Sequence, residues 1–242
     1  MADLVYRAVM RDLKHKILAH QYPKMKLPDE RSLSAEYGVS RSTIKRALDV
    51  LAQEGIIFKK RGSGTFINPL YLKNQAMFSY EGSNLGITDS FKFEGRKQSI
   101  KLLNYQVIAA DEEIQQDLFL SADDFVYRIE RLRLIDDQPF MIETGYIPIK
   151  INPTLSPAVV GGSIFNHMEE VMNKTVTRSY MTLTVAPSTE NDQKLLNLTP
   201  TEPVGIMEGV FFLDDGTPFE VSNMRVHYKY MRYNTFVSIN KE

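Results

Sequence analysis

The 242-residue chain contains no cysteine, which excludes disulfides and leaves nothing to argue for an oxidising compartment. No apolar run approaches membrane-spanning length. The opening MADLVYRAVMRDLKHKIL alternates apolar with charged residues and lacks the continuous core of a secretory leader. A soluble cytoplasmic protein with no membrane partner is therefore expected. Internal repeats and low-complexity segments are also missing. So are the usual marks of an enzyme: a nucleophile motif, a glycine-rich nucleotide loop, metal-ligand spacing. The histidines (His15, His20, His167 and His227) are scattered, and His15 and His20 would face different sides of one helix. No catalytic residue, cofactor or metal is expected.

A strong net charge is lacking too, the formal value being −1. That figure hides an asymmetry. Residues 1–68 carry thirteen Lys and Arg against seven Asp and Glu, a net of +6, and the remainder carries sixteen against twenty-three, a net of −7. A basic head on an acidic body suits one domain that meets nucleic acid and one that does not.

What is present starts with the head. Tyr6, Val9, Met10, Leu13 and Ile17 recur at helical spacing over residues 3–19. In PDERSLSAEYGVSRSTIKRALDVLAQEGIIFKKRGSGTFI, Asp29 can cap a helix carrying Leu33 and Tyr37, and Gly38 can end it in a left-handed conformation. Ser40 can cap the next helix, in which Ile44, Leu48 and Leu51 form the apolar stripe. Arg41, Ser42, Lys45 and Arg46 fall off that stripe near the helix N-terminus, with Thr43 beside them. Two short strands, Ile56–Phe58 and Thr65–Ile67, then enclose the basic tip Lys59-Lys60-Arg61-Gly62-Ser63-Gly64. The ordered combination predicts a winged helix-turn-helix that binds double-stranded DNA. Residues 69–80 lack a clear period and read as a linker to a body over 81–242.

In the body, strands alternate with short helices: Ile100–Ala109, a helix from Asp111 to Leu120, Phe125–Ile135 turning at Asp136-Asp137-Gln138 into Phe140–Ile147, a helix after Gly161-Gly162-Ser163, Val176–Val185, a helix over 189–196, Val204–Leu213 turning into Phe219–Tyr228, and a last strand over 236–239. Hairpins with intervening helices predict an antiparallel α+β domain. Arg131 and Arg133 are two apart on a strand, so they share a face with bases roughly 7 Å apart and can bracket an anion. The alternative is an ion pair with Glu130 or with a carboxylate on the hairpin partner. Ser163 at a helix start offers an anion site or an ordinary cap. Glu143 and Glu220 interrupt apolar strands and suit the hydroxyls of a ligand; Arg225 or Arg178 would be the alternative partners.

The first 68 residues resemble the DNA-binding domain of GntR-family bacterial regulators. The segments RIERLRLIDDQPFMIETGYIP, GSIFNHMEE and DDGTPFEVSN resemble the UTRA-type effector-binding domain of the HutC subfamily, a fold similar to chorismate lyase. The resemblance implies DNA contacts at Arg31, Arg41, Ser42, Thr43, Lys45 and Gly62. The family usually has arginine where this chain has Lys45, and a neutral residue where it has Arg46, so the base contact stays open between Lys45 and Arg46. Effector contacts are implied at Phe91, Lys92, Arg131, Arg133, Glu143, Ser163, Phe165, Glu220 and Tyr228, the last in YKYMRY where many relatives read Tyr-x-Gly-Asp-Arg-Tyr. The function so implied is a ligand-responsive repressor, a homodimer on a palindromic operator, with a small anionic effector such as a sugar phosphate. Two alternatives are a chorismate-lyase-type enzyme with an accessory DNA-binding head, and a DNA-binding protein whose body only dimerises.

Overall fold

The computed structural model describes residues 2–73 and 96–232. They fall into two compact units, one from each stretch.

The front unit opens with helix α1 (Ala2–Leu18), whose Val9, Leu13 and Ile17 are buried. Helices α2 (Glu30–Tyr37) and α3 (Arg41–Gln53) add Leu33, Ile44, Ala47, Leu48 and Leu51 to the same core. Each of the leucines and isoleucines, fully buried, contributes about 1.5–3 kcal/mol of transfer free energy. Both helix starts are capped as their sequences imply. The Asp29 carboxylate accepts from the Ser32 N–H at 2.8 Å, and the Ser40 hydroxyl accepts from the Thr43 N–H at 3.2 Å. Gly38 ends α2 at φ 62°, where a residue with a Cβ would be strained. Strands β1 (Ile57–Lys60) and β2 (Gly64–Ile67) pair antiparallel as the wing, with Gly62 at φ 71° in its turn. Residues read above as the start of a linker form a short helix, α4 (Pro69–Lys73), whose Tyr71 and Leu72 pack on this core.

The rear unit is one six-stranded antiparallel sheet in the order β3-β4-β5-β8-β7-β6. Its strands are β3 (Gln98–Ala109), β4 (Phe125–Ile135), β5 (Gln138–Pro148), β6 (Val176–Pro187), β7 (Pro203–Leu213) and β8 (Pro218–His227). The hairpins β4–β5 and β7–β8 meet at the centre. In the β4–β5 turn Asp136 and Asp137 take φ of 50° and 62°, the left-handed pair that a two-residue hairpin loop needs. One sheet face carries helices α5 (Glu112–Leu118) and α8 (Glu190–Leu196). The other carries the main core with two short helices, α6 (Pro157–Val160), not anticipated from sequence, and α7 (Ile164–Glu170). The strand expected over 236–239 lies outside the described residues.

A basic helix face and a buried arginine pair

The front unit presents Arg31, Arg41, Ser42, Lys45 and Gly62 to solvent, with Thr43 half-buried against the Ser40 hydroxyl at 2.8 Å. Arg46 is placed differently. Its guanidinium lies over the Tyr6 ring of α1, 4.1 Å from the centroid, which ties it to the scaffold. Lys45 is exposed beside it and forms no ion pair among the described residues. At the wing, Lys59 is held by Asp49 of α3 at 2.7 Å and faces Glu30 at 3.7 Å. Lys60 and Arg61 are the cations that project from the tip.

The rear unit's polar cluster grows from strand register. Arg131 on β4 stands opposite Glu143 on β5, which stands opposite Met224 on β8. Strand alternation turns all three toward the main core, and Arg133 follows two residues on. Burial is nearly complete: Arg131 is 2% exposed, Arg133 5%, Glu143 5% and Glu220 1%. Both guanidiniums converge on one atom, Glu143 Oε2, at 2.9 Å from Arg131 Nη2 and 2.7 Å from Arg133 Nε. Arg131 Nη1 also donates to the carbonyls of Val160 and Gly162, at 3.2 Å each, which fixes the segment leading into α7. The alternative of a hairpin-partner carboxylate is thus the observed pairing, and Glu130 instead faces Arg128.

Glu220 takes neither of the partners suggested for it. Arg225 points to the opposite face and makes a two-pronged contact with Asp192, both distances 2.6 Å. The Glu220 Oε2 atom has no hydrogen-bond partner among the described residues. Its carboxyl leans over Gly145, where any Cβ would collide with it. Burial, then the neighbouring Glu143 carboxylate, pushes the Glu220 carboxyl well above the usual range, so it holds its proton near neutral pH. Burial alone would do the same to Glu143, but Arg131 and Arg133 outweigh it and hold that carboxyl well below the usual range. Glu143 is thus the carboxylate that faces both guanidiniums, and Glu220 stands beside it as a neutral acid.

Other expected residues divide. Ser163 caps α7, accepting from the Asn166 N–H at 3.3 Å, immediately after the Gly162 carbonyl that Arg131 holds. Phe165 is packed edge-on against Phe211 and Phe219, with centroids 5.1 and 5.7 Å away, beside Glu220's row of the sheet. Tyr228 is a correction. Counting eight residues from Glu220 puts it on the same strand face, but the strand stops at His227, where a 3-10 turn begins (Tyr228–Tyr230). Its hydroxyl donates to Glu202 at 2.7 Å, and its ring packs with Leu132, Ile142 and Leu198 on the far face of the sheet. Phe91 and Lys92 lie outside the described residues. Gly145, which makes room for Glu220, carried no signal in a single sequence; only the register reveals it.

Profiles of two known domain families match these units. That of the bacterial regulatory proteins of the gntR family matches residues 5–67, and that of the UTRA domain matches residues 94–232. The chain belongs to the gntR family of bacterial regulatory proteins. This gntR-family regulator is 32% identical over 221 residues to the HTH-type transcriptional regulator GmuR of Bacillus subtilis strain 168, covering 91% of the chain and 92% of GmuR. It is 29% identical to the Mannosyl-D-glycerate transport/metabolism system repressor MngR of Escherichia coli K12, covering 90% of the chain and 89% of MngR. Among solved structures, YydK of Bacillus subtilis subsp. subtilis strain 168, described as a possible transcriptional regulator, superposes with a TM-score of 0.76 at 26% identity. That match covers 97% of the chain and 99% of YydK. The regulator thus has the expected α+β class: a helix-turn-helix head and an antiparallel-sheet UTRA domain, the composition of a transcriptional regulator of the HutC type. No described helix is long and apolar enough to cross a membrane.

Proposed function

We propose that the regulator is a repressor that binds a palindromic operator as a homodimer and releases it when a small anionic metabolite, a sugar phosphate, occupies the UTRA domain. The observation that carries this reading is the pair of buried guanidiniums, Arg131 and Arg133, which share one strand face and converge on a single carboxylate oxygen beside the start of α7. Two guanidiniums so placed suit the several acceptor oxygens of a phosphate carried by a sugar. Glu220, neutral and with no partner for its Oε2 among the described residues, suits the sugar's hydroxyls, since a protonated carboxyl both donates and accepts. One relative's name fits the pattern: mannosyl-D-glycerate joins a sugar to a carboxylate. A second relative, NagR of Bacillus subtilis strain 168, is also named a repressor.

At the head, residues 1–68 in this reading, Lys45 takes the base-reading role because Arg46 is held against Tyr6. Arg31, Arg41, Ser42, Thr43 and the wing around Gly62 position the duplex. One recognition helix fills one major groove, so two heads set by dimerised bodies (81–242) read the two half-sites through the expected 69–80 linker, of which Pro69–Lys73 form α4 on the head. Effector binding favours a body conformation that sets the heads at the wrong spacing. About 1.4 kcal/mol of coupling changes operator affinity tenfold. The test is titration of an operator duplex from the regulator's own promoter region with hexose phosphates, by fluorescence anisotropy. Release by a phosphorylated sugar is expected, and Arg133→Ala should abolish that response while leaving operator affinity intact. Indifference of the unmodified protein to every phosphorylated sugar removes this effector class; loss of DNA binding in Arg133→Ala makes the residue structural.

A further inference from the structure

Two residues beyond Glu220 on β8 lies Ser222, which none of the site residues named so far includes. It is 1% exposed, and its hydroxyl, like Glu220 Oε2, has no hydrogen-bond partner among the described residues. The pairing register places it in the row Tyr105–Ile129–Gly145–Ser222–Gly209–Met181, next to the row Leu102–Arg131–Glu143–Met224–Met207–Leu183. Strand alternation turns Glu220, Ser222 and Met224 to one face, the face of the arginine pair. Both strand neighbours of Ser222 are glycines, so no side chain beside it competes for its hydroxyl. Gly145 leaves the space into which the Glu220 carboxyl leans, and at Gly209 a Cβ would strike the Tyr180 carbonyl. Two buried polar groups on one strand face, both unmatched, are an expense that a packing role does not explain. An apolar side chain of matching size at either place would fill the core without an orphan hydroxyl or acid.

We propose that Ser222 is a specificity-determining residue: with Glu220 it forms the hydroxyl-reading end of the effector site, taking adjacent oxygens of a polyol or sugar whose anionic group lies at Arg131 and Arg133. The inference rests on the effector reading above and assigns the neutral half of the ligand. A serine hydroxyl donates to one ligand oxygen and accepts from another, which a neighbouring neutral carboxyl can also do, so the pair selects vicinal hydroxyls over a bare anion. A ligand lacking them leaves both groups unpaired, and this is how a site built for hydroxyls rejects the analogue without them.

The test uses the full chain and Ser222→Ala, with isothermal titration of a panel of hexose 6-phosphates and of inorganic phosphate, alongside thermal unfolding. Sugar-phosphate binding should weaken about fivefold in the variant, as for one lost hydrogen bond, with inorganic phosphate unchanged. The unliganded variant should melt about 2 to 5 °C higher, because an unmatched buried hydroxyl has been removed. Equal sugar-phosphate binding by both proteins overturns the proposal. So does a lower melting temperature with both ligands weakened together, which is the signature of a packing residue. If the unmodified protein binds inorganic phosphate but no sugar phosphate, the arginine site stands and this inference falls. If it binds neither, the effector reading falls, and this one with it.

Discussion

Replacing Glu143 by glutamine removes the one carboxylate oxygen on which both buried arginines converge while leaving the side chain's shape intact. The substitution takes one negative charge out of surroundings where Arg131 and Arg133 are almost wholly inaccessible to water. Breaking a buried pair by removing one partner costs about 3 to 5 kcal/mol. For a domain of this size that lowers the melting temperature by about 10 °C or more. Part of the loss should be returned as pH rises, because the Glu143 charge is one of the two causes that keep Glu220 protonated. With Glu143 neutralised, Glu220 can ionise and take over as counter-ion, so the deficit should be largest near pH 5 and smaller near pH 8. Measured against Glu220→Gln as the reference, the double variant Glu143→Gln/Glu220→Gln should show the full deficit at both values. Phosphate should rescue the variant more than the parent; at 100 times its dissociation constant an anion returns about 2.7 kcal/mol. Differential scanning calorimetry at the two pH values, with and without phosphate, reads all of this. A drop of under 2 °C with no differential rescue would refute the claim that the cluster is held by charge balance.

Glu220→Gln alone bears on pH. Folded Glu220 keeps its proton above the ordinary glutamate value near 4.5, whereas the unfolded chain loses it there. Stability should therefore fall as pH climbs from that value through the raised folded one, and melting curves of Glu220→Gln should lack this slope; an unchanged slope assigns it elsewhere. At the head, Lys45→Ala should weaken operator binding by about 1–3 kcal/mol and relax specificity at one base pair. Arg46→Ala should instead cost about 0.5–1 kcal/mol of head stability through its lost contact with Tyr6, with the base preference kept. Anisotropy titrations on single-base operator variants separate the two, and specificity loss in Arg46→Ala would reverse the assignment.

Much of the head was legible because its signals are local: a capping aspartate, a turn glycine and a capping serine each act within a few residues. The shared face of Arg131 and Arg133 was legible for the same reason, since period-two alternation holds along an uninterrupted strand. Tyr228 failed because alternation carries no information past a strand's end. His227 Nδ1 accepts from the Lys229 N–H at 3.2 Å, and the chain turns away. Contacts between elements far apart in sequence were out of reach. Nothing near Arg46 announces Tyr6, and Ser222 becomes conspicuous only when the register sets glycines on both sides of it.

The head's cations are not all available to a duplex. Lys14 is buried against Glu54 at 2.7 Å, and Lys16 is paired with Glu36 at 2.7 Å and Asp12 at 2.9 Å, as Lys59 is with Asp49. What faces outward without an ion pair among the described residues includes Arg11, Lys24, Lys26, Arg31, Arg41, Lys45, Lys60 and Arg61. Eight phosphate-neutralising groups displace fewer condensed sodium ions than thirteen, giving a log–log ionic-strength slope no steeper than about −7 per head instead of about −12. A grip that shallow keeps idle residence on random chromosome brief, and leaves most discrimination to the groove-facing edge of α3.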